Sequence, residues 1–184
     1  MKICVFASSS EVDHIYQNAA IELGQLTGSQ GHRLVYGGAK RGLMGLASTA
    51  HQQAGGKTIG ILPVRFEAIA GGEDELILVP DFPERVTKMK ELSDAFIGLA
   101  GGFGTLYELA DVIQAGQFNE HSKPIVLINT NRFYDELNTF LEKIVQEKFA
   151  PIDNAKLWSV AQTPQAALEY IRTYRPSLKH DKLG

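Results

Sequence analysis

The sequence predicts a doubly wound α/β fold, in which a parallel sheet carries helices on both faces. Two observations predict it. Six short apolar runs read as buried strands, and helical patterns fill most of the gaps between them. The runs are continuous rather than alternating, which is typical of parallel strands buried on both faces. Strands alternating with helices build right-handed βαβ units. The expected strands are residues 3–7, 34–36, 58–62, 76–79, 95–99 and 125–128.

Length and composition indicate one domain, and the alternation of strands and helices makes it Rossmann-like. The chain has 184 residues and 44% hydrophobic content, which suits one core but leaves little room for two. We assign residues 1–175 to this domain. The last segment, 176–184, has mixed charge and few apolar residues, so we expect a loosely ordered tail.

Composition also excludes several classes of function. A net charge of −3 argues against a non-specific nucleic-acid binder. The single cysteine, Cys4, lies in the first apolar run, so we expect a buried thiol and no disulfide framework. The five histidines are scattered without metal-ligand spacing, so we expect surface or capping roles and no metal site. The N-terminal run is too short for a signal peptide or a membrane span, which predicts a cytoplasmic protein without membrane contact.

A glycine-rich turn follows the fifth predicted strand and precedes a helical pattern. Its glycines let backbone N–H groups approach an anion, and the start of the following helix favours negative charge. The sequence therefore predicts a phosphate site, although a tight strand-to-helix turn is the simpler alternative. The turn lacks the Lys-Ser/Thr pair of a Walker motif and the Gly-x-Gly-x-x-Gly spacing of a dinucleotide site. The candidate phosphate contacts are Gly101, Gly102, Gly104 and Thr105.

Other loops that follow predicted strands should lie at the same edge of the sheet, where ligands of such folds bind. Gly37 and Gly38 follow the second strand, and they would permit close approach of a ligand or of another loop. Ser9 follows the first strand. Its hydroxyl could reach a nucleotide, but we favour an N-cap for a helix that begins near Glu11.

Two charged residues are candidates for chemistry, each with a structural alternative. Glu108 lies three residues after Thr105, so the pair also fits a Thr-x-x-Glu capping box. Arg85 follows Glu84 in a helical segment, and a solvated arginine paired with a neighbouring carboxylate is the ordinary interpretation there. Local sequence leaves both alternatives open.

Taken together, the motifs resemble the LOG-type family, the lonely-guy cytokinin-activating enzymes that are often misnamed lysine decarboxylases. The resemblance covers nearly the whole chain. The family pattern Pro-Gly-Gly-x-Gly-Thr-x-x-Glu corresponds to residues 100–108, where only the first position, Ala100, departs. The family segment Gly-Gly-Gly-x-x-Gly-Leu-Met-Gly is similar to residues 37–45, and the blocks Ile59-Gly60-Ile61-Leu62-Pro63 and Lys123-Pro124-Ile125 also match.

The resemblance implies a phosphoribohydrolase that cleaves the N-glycosidic bond of an adenine-type nucleoside 5′-monophosphate. The products are a free base and ribose 5-phosphate. It implies Arg85 and Glu108 as catalytic residues, no cofactor and a homodimer. Positive charge develops on the ribose in the transition state, so a carboxylate at Glu108 would lower its energy. Holding ribose hydroxyls and orienting the attacking water are alternative roles for Glu108 that the sequence leaves open. Arg85 would orient the substrate rather than donate a proton, because its pKa is too high.

Three departures from the family pattern concern the site. Pro83 replaces the family histidine, Val86 replaces the lysine after Arg85, and Ala39 replaces a glycine. A non-catalytic nucleotide-binding or carrier protein is therefore the alternative function, and an unrelated sugar-phosphate transferase is a weaker one. Lysine decarboxylation finds no support, because no segment supplies a recognisable lysine context for pyridoxal phosphate.

Overall fold

The computed structural model describes residues 1–176, and its centre is a seven-stranded sheet with the order β4-β3-β2-β1-β5-β6-β7. Every neighbouring pair of strands is parallel. The strands are β1 (Lys2–Phe6), β2 (Arg33–Tyr36), β3 (Lys57–Pro63), β4 (Glu75–Val79), β5 (Ala95–Gly98), β6 (Ile125–Ile128) and β7 (Ser159–Ala161).

Helices cover both faces of this sheet. They are α1 (His14–Ser29), α2 (Gly42–Gln53), α3 (Phe82–Leu92), α4 (Phe103–Gln117), α5 (Asp135–Gln146) and α6 (Pro164–Thr173). Short 3-10 segments occupy Val64–Ile69, Thr130–Arg132 and Ile152–Lys156. Within residues 1–176, no helix combines the length and apolar character needed to cross a lipid bilayer.

Side chains of β1 alternate between two cores, as a strand buried on both faces requires. Ile3 and Val5 join a core with residues of α1, α2 and α6. Cys4 and Phe6 join the opposite core with residues of α3, α4 and α5. The predicted doubly wound fold and the buried position of Cys4 are therefore confirmed.

The structure corrects two details of the sequence prediction. The prediction lacked β7, a strand of only three residues at the edge of the sheet, where a short run is a weak signal. The helix expected near Glu11 begins at His14, and the Asp13 carboxylate accepts from the Ile15 N–H at 2.9 Å. The prediction that Ser9 caps this helix is therefore wrong.

The end of the domain is only partly described. Of the predicted tail, 176–184, residues 177–184 lie outside the described part of the chain. The assignment of 1–175 as one domain and of a loosely ordered tail stays a prediction.

The connection from β3 to β4 crosses the sheet without an α-helix, and polar contacts anchor it. The Tyr36 hydroxyl donates to Glu73 at 3.0 Å. Asp74 accepts from the Lys57 ammonium at 2.7 Å and from the Thr58 N–H at 2.9 Å. These donors, Lys57 first, hold the pKa of the Asp74 carboxyl well below its usual range. The acidic segment is thus an anchored crossover that fixes β4.

Helices α1 and α2 pack at very close range through small residues. A Cβ atom on Gly24 would overlap the carbonyl oxygen of Ala47, and one on Gly28 would overlap that of His51. His51 is fully buried, and its Nδ1 lies 2.8 Å from the Thr27 hydroxyl. The expectation that the histidines occupy surface or capping positions is therefore wrong for His51.

This contact predicts a specific loss of stability. We expect Gly24→Ala to lower the free energy of unfolding by about 1–3 kcal/mol, because the new methyl group meets rigid backbone. This is a net loss, because the steric penalty should exceed the ~1 kcal/mol by which alanine stabilises a helix relative to glycine. Urea denaturation measures it, with Gln25→Ala on the exposed side of α1 as the control. A Gly24→Ala protein as stable as the wild type would contradict this packing.

Candidate active site

The candidate site lies at the carboxyl ends of β1 and β5, where the order of strands reverses. From β1 the chain proceeds outward through β2, β3 and β4, whereas β5 returns to the other side of β1. Such a switch point leaves a crevice between diverging loops. Hydrogen bonds join the two loops here: the Leu99 N–H donates to the Phe6 carbonyl at 2.9 Å, and the Ser8 N–H donates to the Ala100 carbonyl at 3.3 Å.

The glycine-rich turn forms the start of α4. Gly102 is the N-cap and no side chain caps the helix, so its first N–H groups remain available to a ligand. A Cβ atom on Gly101 would overlap the Thr105 hydroxyl, whereas the space beside Gly102 and Gly104 is open. The N-terminus of α4 thus has the geometry of an anion site.

Glu108 lies deeper in the same helix. Because α4 begins at Phe103, Thr105 is the third helical residue and Glu108 lies nearly a turn further on. The capping-box alternative is therefore wrong. The Glu108 side chain is only 6% exposed, and its Oε1 lies 3.1 Å from the Arg85 guanidinium.

Arg85 reaches Glu108 from α3. The N-cap of α3, Asp81, accepts from the Glu84 N–H at 2.9 Å, and Arg85 follows in the first turn. The Arg85 side chain is 11% exposed, and its Nε donates to the Ile61 carbonyl at 3.1 Å. The alternative of a solvated arginine paired with a neighbour on its own helix is therefore wrong.

The two glycines after β2 lie in different surroundings. A Cβ atom on Gly37 would overlap the Arg85 guanidinium, so glycine at this position leaves room for the ion pair. Gly38 has a φ of +72° and packs beside Leu62 of β3. Only Gly37 touches the ion pair directly.

The loop after β1 contacts the start of α2. The Met44 N–H donates to the Ser8 carbonyl at 3.2 Å, and Gly42 packs against the backbone of Ser8 and Ser9 with φ +55°. Ser9 is exposed, and its hydroxyl has no hydrogen-bond partner among the described residues.

The surroundings of Glu108 favour its neutral form. Burial raises the pKa of the Glu108 carboxyl to about 7, and the positive charge of Arg85 opposes that shift. Nearby, the Tyr134 hydroxyl donates to the Leu99 carbonyl at 2.6 Å. Burial raises the pKa of Tyr134, and the charge of Glu108 adds to the shift. The site thus holds a carboxyl that titrates near neutrality beside a fixed cation.

Sequence reasoning missed three neighbours of this site. Tyr134 comes from the segment before α5, where no motif marks it. Arg65 and Phe82 lie near Arg85: the Phe82 ring centroid is 5.1 Å from the Arg65 guanidinium carbon and 5.7 Å from that of Arg85. The available signal was Phe82 itself, an aromatic residue three positions before Arg85 in the same segment. Within residues 1–176, no group of three or more His, Cys, Asp or Glu side chains could share a metal ion.

Comparison with known proteins agrees with this arrangement. Residues 44–171 match a family model described as "Possible lysine decarboxylase". The probable cytokinin riboside 5′-monophosphate phosphoribohydrolase LOGL6 of Oryza sativa subsp. japonica is 39% identical over 99% of this chain and 74% of its own. The cytokinin riboside 5′-monophosphate phosphoribohydrolase LOG5 of Arabidopsis thaliana is 38% identical over 95% of this chain and 78% of its own.

Solved structures share the fold. The molybdenum cofactor binding protein of Rippkaea orientalis aligns with a TM-score of 0.71 and 29% identity over 94% of this chain and 95% of its own. The Moco carrier protein of Chlamydomonas reinhardtii aligns with a TM-score of 0.73 and 26% identity over 93% of this chain and 94% of its own. The family model, the plant relatives and the shared fold all agree, and this chain belongs to the LOG-type family.

Proposed function

We propose that this protein hydrolyses the N-glycosidic bond of adenine-type nucleoside 5′-monophosphates to a free base and ribose 5-phosphate. The observation that carries the proposal is the buried Arg85–Glu108 pair beside the uncapped start of α4. Names of the plant relatives, phosphoribohydrolases of cytokinin riboside 5′-monophosphates, support the same reaction. AMP and N6-substituted AMP are both included in the proposed substrate class.

The phosphate would bind at the start of α4. Backbone N–H groups of Gly101, Gly102, Gly104 and Thr105, with the Thr105 hydroxyl, are the proposed donors. The open space beside Gly102 and Gly104 supports this assignment, since a ligand can approach the backbone there. Helix N-termini favour anions through free N–H groups and the helix dipole.

Glu108 would act on the ribose. Cleavage of the glycosidic bond places positive charge on the anomeric carbon and the ring oxygen, and an ionised carboxylate lowers the energy of that state. With a pKa of about 7, Glu108 is partly ionised at neutral pH. The ionised form could also accept a proton from the attacking water.

Arg85 would position both Glu108 and the substrate. Its Nε donates to the Ile61 carbonyl and one Nη forms the ion pair with Glu108, so further N–H groups of the fork remain for ribose or phosphate oxygens. Ser9, Gly37 and Gly38 complete the proposed binding surface, with Gly37 acting through the room that it leaves for Arg85.

One family departure has a clear structural consequence. Val86, at the position of the family lysine, is buried, so its side chain belongs to the core. Lys88 lies 3.0 Å from Glu91 on the same helix and does not replace the missing cation. We therefore propose that Arg85 is the cation of this segment that serves the reaction.

A second candidate function is a carrier that binds a nucleotide or a molybdenum cofactor without hydrolysis. Two structural relatives are described as a molybdenum cofactor binding protein and a Moco carrier protein, and the sequence identity to them is 29% and 26%. The loss of the family lysine at Val86 agrees with this candidate. The retained Arg85–Glu108 pair favours the hydrolase.

We also propose a homodimer that forms through α4. Three apolar side chains beside the proposed phosphate site face solvent: Phe103 is 91% exposed, Tyr107 46% and Leu106 43%. An apolar patch at a functional site is typical of an interaction surface. The opposite face of α4, with Leu109 and Val112, packs on the sheet.

The hydrolase proposal predicts the effect of two substitutions. We expect Glu108→Gln and Arg85→Ala each to lower kcat/KM for base release from AMP by about 100-fold or more, because each removes a charge that acts on the transition state. Free base and ribose 5-phosphate are followed chromatographically for AMP and for N6-isopentenyladenine riboside 5′-monophosphate. Glu91→Gln, on the exposed side of α3, is the matched control.

The outcomes of that assay separate the two candidate functions. Full activity in Glu108→Gln would contradict the role given to this carboxylate. A wild-type protein that binds both nucleotides without releasing base would favour the carrier.

The dimer proposal predicts that a substitution in α4 changes the oligomeric state of the protein in solution. We expect Tyr107→Glu to shift the protein from dimer to monomer at micromolar concentration, because a charge in an apolar interface remains unpaired. Sedimentation velocity measures the shift, and Phe140→Glu, at another exposed phenylalanine, should leave the dimer intact. A wild-type monomer would overturn the proposal.

A further inference from the structure

Beyond the proposed phosphate and ribose contacts, the base of the substrate needs a binding surface of its own. A group that we call the aromatic–arginine cluster lies near the ion pair and consists of Arg65, Phe66 and Phe82. The Arg65 guanidinium carbon lies 4.9 Å from the Phe66 ring centroid and 5.1 Å from that of Phe82. The two rings are 5.7 Å apart and inclined at 45°.

Chain topology brings these residues together at the carboxyl edge of the sheet. Arg65 and Phe66 belong to the 3-10 segment directly after β3, and Phe82 is the first residue of α3, shortly after β4. Because β3 and β4 are parallel neighbours, the residues after them meet at one edge. The cluster therefore borders the crevice that holds Arg85.

The cluster has free surface for a planar ligand. Phe82 is 39% exposed although it contacts two guanidinium groups. Arg65 is exposed and forms no ion pair with a carboxylate of the described chain. A planar guanidinium that lies over aromatic rings and has no carboxylate partner can also stack against the ring of a ligand.

The shape of a nucleotide assigns this surface to the base. In a nucleoside 5′-monophosphate, the phosphate and the base lie at opposite ends of the ribose. Glu108, one turn into α4, pairs with Arg85, and the Phe82 ring lies against the Arg85 guanidinium. A phosphate at α4 with the ribose at Glu108 directs the base toward Phe82 and Arg65.

We propose that Arg65 and Phe82 form the base-binding subsite and hold the departing purine by stacking. The proposal rests on the proposed function for the placement of phosphate and ribose. Stacking recognises the π face of a base and does not read its exocyclic groups. The subsite therefore favours purines over the smaller pyrimidines, and it accepts AMP with or without an N6 substituent.

Binding measurements test the subsite separately from hydrolysis. Calorimetric titrations use AMP and ribose 5-phosphate, which lacks the base, in a Glu108→Gln background that keeps AMP intact. We expect Phe82→Leu and Arg65→Gln each to weaken AMP binding about tenfold, in line with the energy of one base stack. Ribose 5-phosphate should bind within twofold of its original affinity, and Phe82→Tyr, which keeps a ring, should restore AMP binding.

Two control substitutions match the residue types elsewhere on the surface. Phe140→Leu removes an exposed ring from α5, and Arg172→Gln removes an exposed arginine from α6. Neither should change the affinity for AMP. Circular dichroism spectra establish that each variant is folded.

The outcomes distinguish this inference from the proposed function. Unchanged AMP affinity in Phe82→Leu would overturn the subsite, and so would an equal loss for AMP and ribose 5-phosphate, which would assign Arg65 to the phosphate. If the unsubstituted protein binds AMP but releases no base, the hydrolase proposal fails, while the titrations still decide the subsite. Binding of neither ligand would overturn both.

Discussion

The buried ion pair between Arg85 and Glu108 is the interaction on which the rest of the site depends. It joins α3 to α4 at the switch point of the sheet, with both side chains nearly excluded from solvent. A charge in such surroundings is costly unless it is paired and hydrogen-bonded. The chain meets this requirement for Arg85 with the Ile61 carbonyl, which accepts from its Nε, and with Gly37, which leaves space for the guanidinium.

This arrangement favours function at the expense of stability. The folded-state pKa of Glu108, about 7, lies above the ordinary value of 4.5, so the folded protein binds this proton more tightly than the unfolded chain. By linkage, Glu108 therefore makes folding less favourable as pH rises from about 4.5 toward about 7. Strongly perturbed carboxyls of this kind cluster at functional sites.

The sequence predicted elements that are marked by a continuous apolar run. It did not predict features that depend on a very short segment, on the exact start of a helix or on contacts between residues distant in sequence. Long apolar runs predicted the central strands, but the three residues of β7 were too few to stand out. The start of α4 one residue after Gly102 excluded the capping box at Glu108, and helix starts are poorly defined by sequence. The contact between Arg65 and Phe82 depends on the crossover from β3 to β4, which has no α-helix and which no local pattern predicted. The cytoplasmic location and the absence of nucleic-acid partners stay predictions.

The pH dependence of kcat/KM for base release from AMP tests the central claim most directly, because it requires both hydrolysis and an ionised Glu108. The account predicts a rate that rises with pH, with an apparent pKa of about 7, and then levels off. Ionisation of the substrate phosphate near pH 6 adds its own limb. The charge of Arg85 lowers the pKa of Glu108, so Arg85→Gln should move the part of the profile that reports Glu108 to higher pH. The part that reports the substrate phosphate should stay in place. A profile without a limb near pH 7, or one that Arg85→Gln leaves unshifted, would contradict the account.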